Sequence, residues 1–283
     1  MNGEPGHRAT DYGDRAVEAA RRVIAELSDI LRRFGDAAAL VGGWVPELSL
    51  PRAEPGHVGS LDVDLLLDPG QLSPPKAEQL ARILRAHGYR RTEPPFKYIR
   101  LVRVGDGEPI EVEVDLLVPT GTPFRKLAGT ATALRPAPAA GGMLALQTRH
   151  HLPFDGKTPS GKSVHGDVAV PGIGAWLVMK AHALASRNKE KDAYDIVLTL
   201  RRLSDAPALV ARELAPHRRR AEVHKALEIL RERFRSPEDS GPQAFSRFVD
   251  SADPGERLFL ARDAYERVQA VLRALESGGD RRR

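Results

Sequence analysis

The chain contains no cysteine, and that single absence removes disulfide frameworks, thiol nucleophiles and cysteine-built zinc sites together. Long apolar runs are missing as well. No stretch approaches the roughly 18 residues that a membrane-spanning helix needs, and the segment from Met1 to Asp14 is polar, with no apolar stretch behind it that would serve as an export signal. A soluble, cytoplasmic protein without membrane association is therefore expected. The chemistry has to come from carboxylates, lysines, serines or histidines.

What is present is ordinary globular material: 283 residues, 41% hydrophobic and 29% charged, enough for two small domains or one large one. The net charge of +5 is concentrated in Arg201 and Arg202, Arg218 to Arg220 and Arg281 to Arg283. Such a balance favours anionic partners, RNA among them, although an arginine cluster is as readily an ordinary solvated face.

The organisation changes along the chain. Apolar residues at Val17, Val23, Ile24, Leu27, Ile30 and Leu31 predict an opening helix over 14–34 with one buried face. Two strands are expected next, at 37–41 running into Gly42 and Gly43, and at 61–67 after a Pro/Gly-rich loop over 50–58. A helix over 73–87 begins with Pro74 and ends at Gly88. Residues 96–104 and 109–118 flank the turn Gly105-Asp-Gly107 and predict an antiparallel hairpin. Residues 126–172 are Ala-, Pro- and Gly-rich, with a short Ala/Pro run at 136–140 that reads as a mobile linker. From Gly174 onward the pattern is helical, over 174–186, 189–203, 222–234 and 255–275, with breaks at Pro207, Pro216, Pro237 and Pro254. The expected fold is α/β (α+β): a mixed-sheet head over 1–125, an irregular, strand-containing connection over 126–172 and a helical domain over 173–283.

The acids carry the argument for function. In a strand, Asp62 and Asp64 project from one face, about 7 Å apart. Two carboxylates on an otherwise apolar strand repel each other and lose solvation unless a cation neutralises them. Asp115 stands in a second strand of the same apolar-acid-apolar pattern, and a neighbouring strand could bring it to the same edge. The expectation is a three-carboxylate cage of Asp62, Asp64 and Asp115 for two Mg²⁺ ions, aligning an acceptor hydroxyl with the α-phosphate of a nucleoside triphosphate. Glu111 and Glu113 share the strand face of Asp115, so alternation leaves the third ligand open; Asp115, nearest the strand end, is preferred. Gly59 and Ser60 just ahead of the acids are expected to cradle triphosphate oxygens through backbone and hydroxyl donors. A bare Asp-x-Asp is more often a pair of solvent-facing acids on an edge strand. The preceding Gly-Gly and Gly-Ser pairs and the second acid-bearing strand tip the reading towards a site.

Leu40-Val-Gly-Gly-Trp44 followed by Gly59-Ser-Leu-Asp-Val-Asp64 resembles the polymerase-β-type nucleotidyltransferase superfamily, over roughly residues 35 to 120. Lys180 to Asp195, Lys-Ala-His-Ala-Leu-Ala-Ser-Arg-Asn-Lys-Glu-Lys-Asp-Ala-Tyr-Asp, resembles a helical segment of AbiEii-like nucleotidyltransferases, the toxin side of type IV toxin–antitoxin pairs. The resemblance implies that Lys180 contacts the nucleotide phosphates, that Asp195 or Asp192 closes the active site, that tRNA or another RNA is the acceptor, and that an antitoxin protein is a possible partner. The loop over 50–58 departs from the family pattern. Read without the family, the segment is a helix pair with charges at i, i+4 spacing. As a phosphate site, Lys180 would act as a flexible point charge reaching a triphosphate, with Arg187 and Lys189 adding to the field.

Two further motifs compete. Gly156-Lys-Thr-Pro-Ser-Gly161-Lys162-Ser163 matches the phosphate-loop pattern letter for letter, but it lacks the required context: 150–155 does not read as a strand, and 164–171 contains Gly166 and Pro171 where a helix should open. His150 and His151 are read as surface-loop residues rather than metal ligands, since adjacent side chains diverge and no third ligand is evident.

Overall fold

A computed structural model describes residues 13–50, 59–122, 134–187 and 189–280. The loop over 51–58, the first part of the expected connection and Arg281 to Arg283 lie outside the described residues. The architecture is mixed α/β with a mixed sheet and many helices. It divides into two compact units, one built from Gly13–Leu48 and Gly59–Pro171, the other chiefly from Gly172 onward.

In the first unit, α1 (Asp14–Leu31) buries Ala19, Ala20, Val23, Ile24 and Leu27 along one stripe and closes in a 3-10 turn over Arg32–Phe34. The sheet contains β1 (Ala38–Val41), β2 (Asp62–Leu67), β3 (Arg90–Arg91), β4 (Lys97–Val102), β5 (Ile110–Pro119) and β6 (Ala137–Ala139). Its strand order is β1-β2-β5-β4-β3, with β6 pairing the end of β5. Two short helices complete this part, α2 (Trp44–Ser49) and, after β6, α4 (Gly142–Gln147); the longer α3 (Pro74–Ala86) follows β2. β1 and β2 are antiparallel, β2 and β5 parallel, β4 and β5 antiparallel. β2 is thus an interior strand, and Val63 through Leu67 are all buried, which a single-faced edge strand could not achieve.

The sequence reading needs correction at two stretches of this unit. The run at 136–140 contains β6 and is hydrogen-bonded to Leu117–Pro119, so it is a sheet strand. Residues 150–155, expected not to be a strand, belong to β7 (His150–Lys157), which pairs throughout with β8 (Ser163–Val170). Pro153, Gly156 and Gly166 hide this hairpin, because none is a strand former; a two-stranded ribbon tolerates them since each strand has one unpaired edge. The ribbon packs on α1 through Phe154, with the Arg21 guanidinium 5.0 Å from its ring centre. His150 and His151 are accordingly strand residues, exposed as expected, and His151 pairs with Asp36 at 2.9 Å.

The second unit is helical: α5 (Ile173–Arg187), α6 (Glu190–Arg202), α7 (Ala206–Leu214), α8 (Ala221–Arg233), α9 (Ser240–Val249) and α10 (Pro254–Asp280). Pro207 and Pro254 stand in the first turns of α7 and α10. Read as breaks, they are also starts, because the first turn has no use for an amide hydrogen at that position. α7 and α9 were not anticipated; Phe245 and Phe248 from α9 pack on Tyr194 of α6. No helix of the described residues is long and apolar enough to cross a membrane.

Candidate active site

The register of the central strands brings the acids together. β2 and β5 pair Asp62 with Glu113 and Asp64 with Asp115, and register partners in adjacent strands share a face. β4 then places Lys97 opposite Asp115. One patch of sheet therefore carries Asp62, Asp64, Glu113 and Asp115 with Lys97 beside them. Asp64 is 8% exposed, a depth at which an idle surface acid would not be found.

The glycines ahead of β2 fit the acids closely. Gly42 sits at φ +73°, and a Cβ there would lie 1.9 Å from Oδ2 of Asp64, so the carboxylate rests against the glycine Cα. Gly59, at φ +79°, has Val17 where a side chain would go. Neither position accepts an L side chain without displacement. Trp44 is buried, and its indole N–H donates to the carbonyl of Asp62 at 3.0 Å, tying the segment after Gly43 to the start of β2. Ser60, expected to hold a phosphate oxygen, is 2% exposed and donates its hydroxyl to Oδ1 of Asp62 at 2.5 Å. In this arrangement it orients a carboxylate.

Lys97, which the sequence reading missed, answers the acids. Its ammonium is hydrogen-bonded to Oε2 of Glu113. Burial pulls the Lys97 pKa down, and Glu113, Asp115 and Asp62 outweigh that, holding the ammonium charged above its ordinary value of 10.5.

Among the described residues no three His, Asp or Glu side chains are gathered as a ready metal cage, so the expected three-carboxylate set is not assembled as these side chains stand. The donor chemistry nevertheless fits Mg²⁺. That ion commonly takes one or two protein carboxylates and completes its octahedron with water and substrate phosphates. Asp64 and Asp115, side by side on parallel strands, are two acids of that kind.

The second sequence-predicted cluster lies in the helical unit. Lys180, in α5, is buried and donates to Oδ1 of Asp192 at 2.9 Å and to Oδ2 of Asp195 at 2.6 Å. Arg187 donates to both Asp192 oxygens at 3.0 and 3.2 Å, and Lys191 to Oδ1 of Asp195 at 2.8 Å. Burial works against the charged forms here, lowering Lys180 and raising Asp192. The opposite charges prevail, leaving Lys180 above and Asp192 below its ordinary range. Lys180 is thus a buried pin between α5 and α6 rather than a free point charge, and Asp192 and Asp195 both belong to its shell. In the arginine clusters, Arg201 pairs with Asp263 and Arg220 with Glu222.

The phosphate-loop pattern falls on the turn of the β7–β8 ribbon, where a strand follows instead of a helix. A strand does precede it, contrary to the reading from sequence. Even so, Ser163 opens a strand, so no helix begins at Lys162 and Ser163 as a phosphate loop requires, and Lys162 pairs with Asp29 at 2.7 Å.

No protein-family model and no curated protein sequence matches the chain. Among solved structures, an antigenic nucleotidyltransferase-like protein from Paracoccidioides brasiliensis aligns with a TM-score of 0.46 and 17% identity, over 75% of this chain and 87% of that one. A likeness that loose assigns no chemistry.

Proposed function

We propose that the acid face of β2 and β5 transfers a nucleoside monophosphate from a nucleoside triphosphate to an acceptor hydroxyl, with Mg²⁺ held by Asp62, Asp64 and Asp115. One observation carries this reading: the parallel register that sets Asp64 beside Asp115 in the interior of the sheet, its carboxylate seated against Gly42. When bound, Mg²⁺ neutralises phosphate charge and favours ionisation of the acceptor hydroxyl. Ser60 fixes the direction of Asp62, and Gly42 fixes that of Asp64. The acceptor oxygen forms a bond to the α-phosphorus, and the bond from that phosphorus to the bridging oxygen breaks. Pyrophosphate leaves with the electron pair, and the hydroxyl proton passes to a carboxylate oxygen of Asp115.

An RNA hydroxyl is the acceptor class we propose, supported by the net charge of +5 and by the consecutive arginines Arg218 to Arg220. The toxin role, an antitoxin partner and a nucleotide contact for Lys180 rest on the motif from Lys180 to Asp195 alone. The test is to present each α-³²P-labelled nucleoside triphosphate with Mg²⁺ to total RNA, total protein and an aminoglycoside. Label is expected in RNA, and lost with Asp62→Ala or Asp64→Ala. Label in protein or antibiotic alone overturns the acceptor; label nowhere, or wild-type transfer by both variants, overturns the chemistry.

A further inference from the structure

Val63 and Leu65 alternate with Asp62 and Asp64 along β2, so they point to the opposite side of the sheet from the acids. On that side α1, the strands β1 and β2 and the β8 strand of the ribbon converge around a cavity of about 350 Å³, partly open to solvent. Its size lies within the roughly 300–1,000 Å³ of small-molecule sites. The gap has a local cause. Gly35, Ala38, Gly166 and Ala169 line it where the three elements meet, and none carries a side chain long enough to fill it. A Cβ at Gly35 would meet nothing within 4 Å.

Close-packed interiors keep few voids larger than a water molecule, yet the walls here are Ile24, Leu27, Leu40, Val63, Leu65 and Val168, all buried. Water is a poor filling, since a buried water needs several polar partners and these side chains offer none. The charged lining residues are all exposed. Arg32, Asp36, His151 and Asp167 stand at the solvent side, with His151 on Asp36 at 2.9 Å and Arg32 donating to Asp29. One arginine, already engaged by an acid, faces the two carboxylates Asp36 and Asp167, so the mouth does not favour an anion.

We propose that this cavity is a binding site for an uncharged aliphatic molecule, whose chain lies against Leu40, Val63 and Leu65 and whose single polar end, a hydroxyl or amide, stays at the charged mouth. Burying the chain supplies the affinity, and the exposed Asp36, His151 and Asp167 offer hydrogen bonds to the polar end. Binding there does not depend on the chemistry of the acid face.

The probe is 1-octanol, titrated into the full chain with its Ile, Leu and Val methyl groups labelled for NMR. Saturable shifts are expected at Ile24, Leu27, Leu40, Val63 and Leu65, and none at Leu258, which is 72% exposed on α10 and reports general contact with the alcohol. Affinity should rise about fourfold per methylene from 1-hexanol to 1-octanol, as expected for a buried chain. Octanoate should bind about tenfold more weakly, because its charge meets carboxylates at a partly screened mouth. Ala169→Leu and, separately, Leu31→Trp put side-chain volume into the space, and each should weaken 1-octanol binding more than about tenfold, as steric exclusion from a packed site requires. Thermal unfolding verifies that each variant is folded; should neither fold, the shift pattern and the alcohol series decide on the wild-type chain. Shifts that fail to saturate, or that appear equally at Leu258, overturn the site, as does wild-type affinity in a folded filled variant or an affinity that ignores chain length. Octanoate binding as tightly as the alcohol overturns the assignment of an uncharged ligand.

Discussion

Two clusters in this chain pair aspartates with lysine, and they are built to opposite ends. On the face of β2 and β5, the register sets four acids against one lysine, and Asp64 is packed against Gly42, where a Cβ would collide with its carboxylate. Between α5 and α6, two aspartates are met by Lys180, Arg187 and Lys191, every one of the four Asp oxygens accepting a hydrogen bond. Asp195 is completely buried there. A saturated ion network locks two helices and has little left to offer a ligand, whereas the sheet face gathers several acids within one strand register. From sequence the first reads as a site on its own residues, the second only through its resemblance to a family. What distinguishes them is the arithmetic of charge after folding.

The largest effect that would sharpen this comparison comes from removing one aspartate of each cluster. Asp195→Ala leaves Lys180 and Lys191 short of a buried partner, and breaking such a network costs about 3–5 kcal/mol. Asp64→Asn instead relieves repulsion among neighbouring acids, so stability should stay within ~1 kcal/mol of wild type. Urea midpoints of the two variants measure the difference. Equal losses would mean that the acid face is held together as the helical cluster is, and the contrast would fail.

A smaller effect concerns the glycine under the acid. Gly42→Ala brings a Cβ to 1.9 Å from Oδ2 of Asp64 at a positive φ, so both the backbone and the carboxylate must shift. A loss of ~1–3 kcal/mol is expected from the strain, together with loss of nucleotidyl transfer, because the acid moves off its seat. Transfer at the wild-type rate by a folded Gly42→Ala protein would show that the seat is irrelevant to the site.

Much of this was legible in the chain. The alternating pattern of Leu61 to Leu67 and the turn at Gly105 to Gly107 predicted β2 and the β4–β5 hairpin, since apolar-acid alternation and Gly-Asp-Gly have few other readings. Lys97 was missed although its signal was available: in a hairpin centred on Asp106, residues equally distant on either side face each other, and those include Lys97 and Asp115. The β7–β8 ribbon was illegible because its proline and glycines break the pattern that its pairing restores. The fate of Lys180 was illegible for a different reason. Spacing along α5 and α6 gives the separation of Lys180, Asp192 and Asp195 in sequence, but only the packing of the two helices shows that they neutralise one another in a dry interior.

The smallest effect belongs to the third lysine-bearing motif, the phosphate-loop pattern at Gly156 to Ser163, which resembles a functional site most closely in letters and least in structure. A true phosphate loop presents backbone amides and a helix N-terminus to the anion. Here Ser163 opens β8, Thr158 accepts the amide of Lys162 in a tight turn, and the Lys162 side chain, 63% exposed, pairs with Asp29 on α1. Exposed pairs of this kind contribute about 0–1 kcal/mol. Lys162→Ala should therefore shift the urea midpoint by no more than that and leave nucleotide affinity unchanged in equilibrium dialysis, where Asp64→Ala, assayed with Mg²⁺, lowers it. If Lys162→Ala instead abolished nucleotide binding and Asp64→Ala did not, the ribbon would be the nucleotide site, and the acid face of β2 and β5 would have to be read as something else.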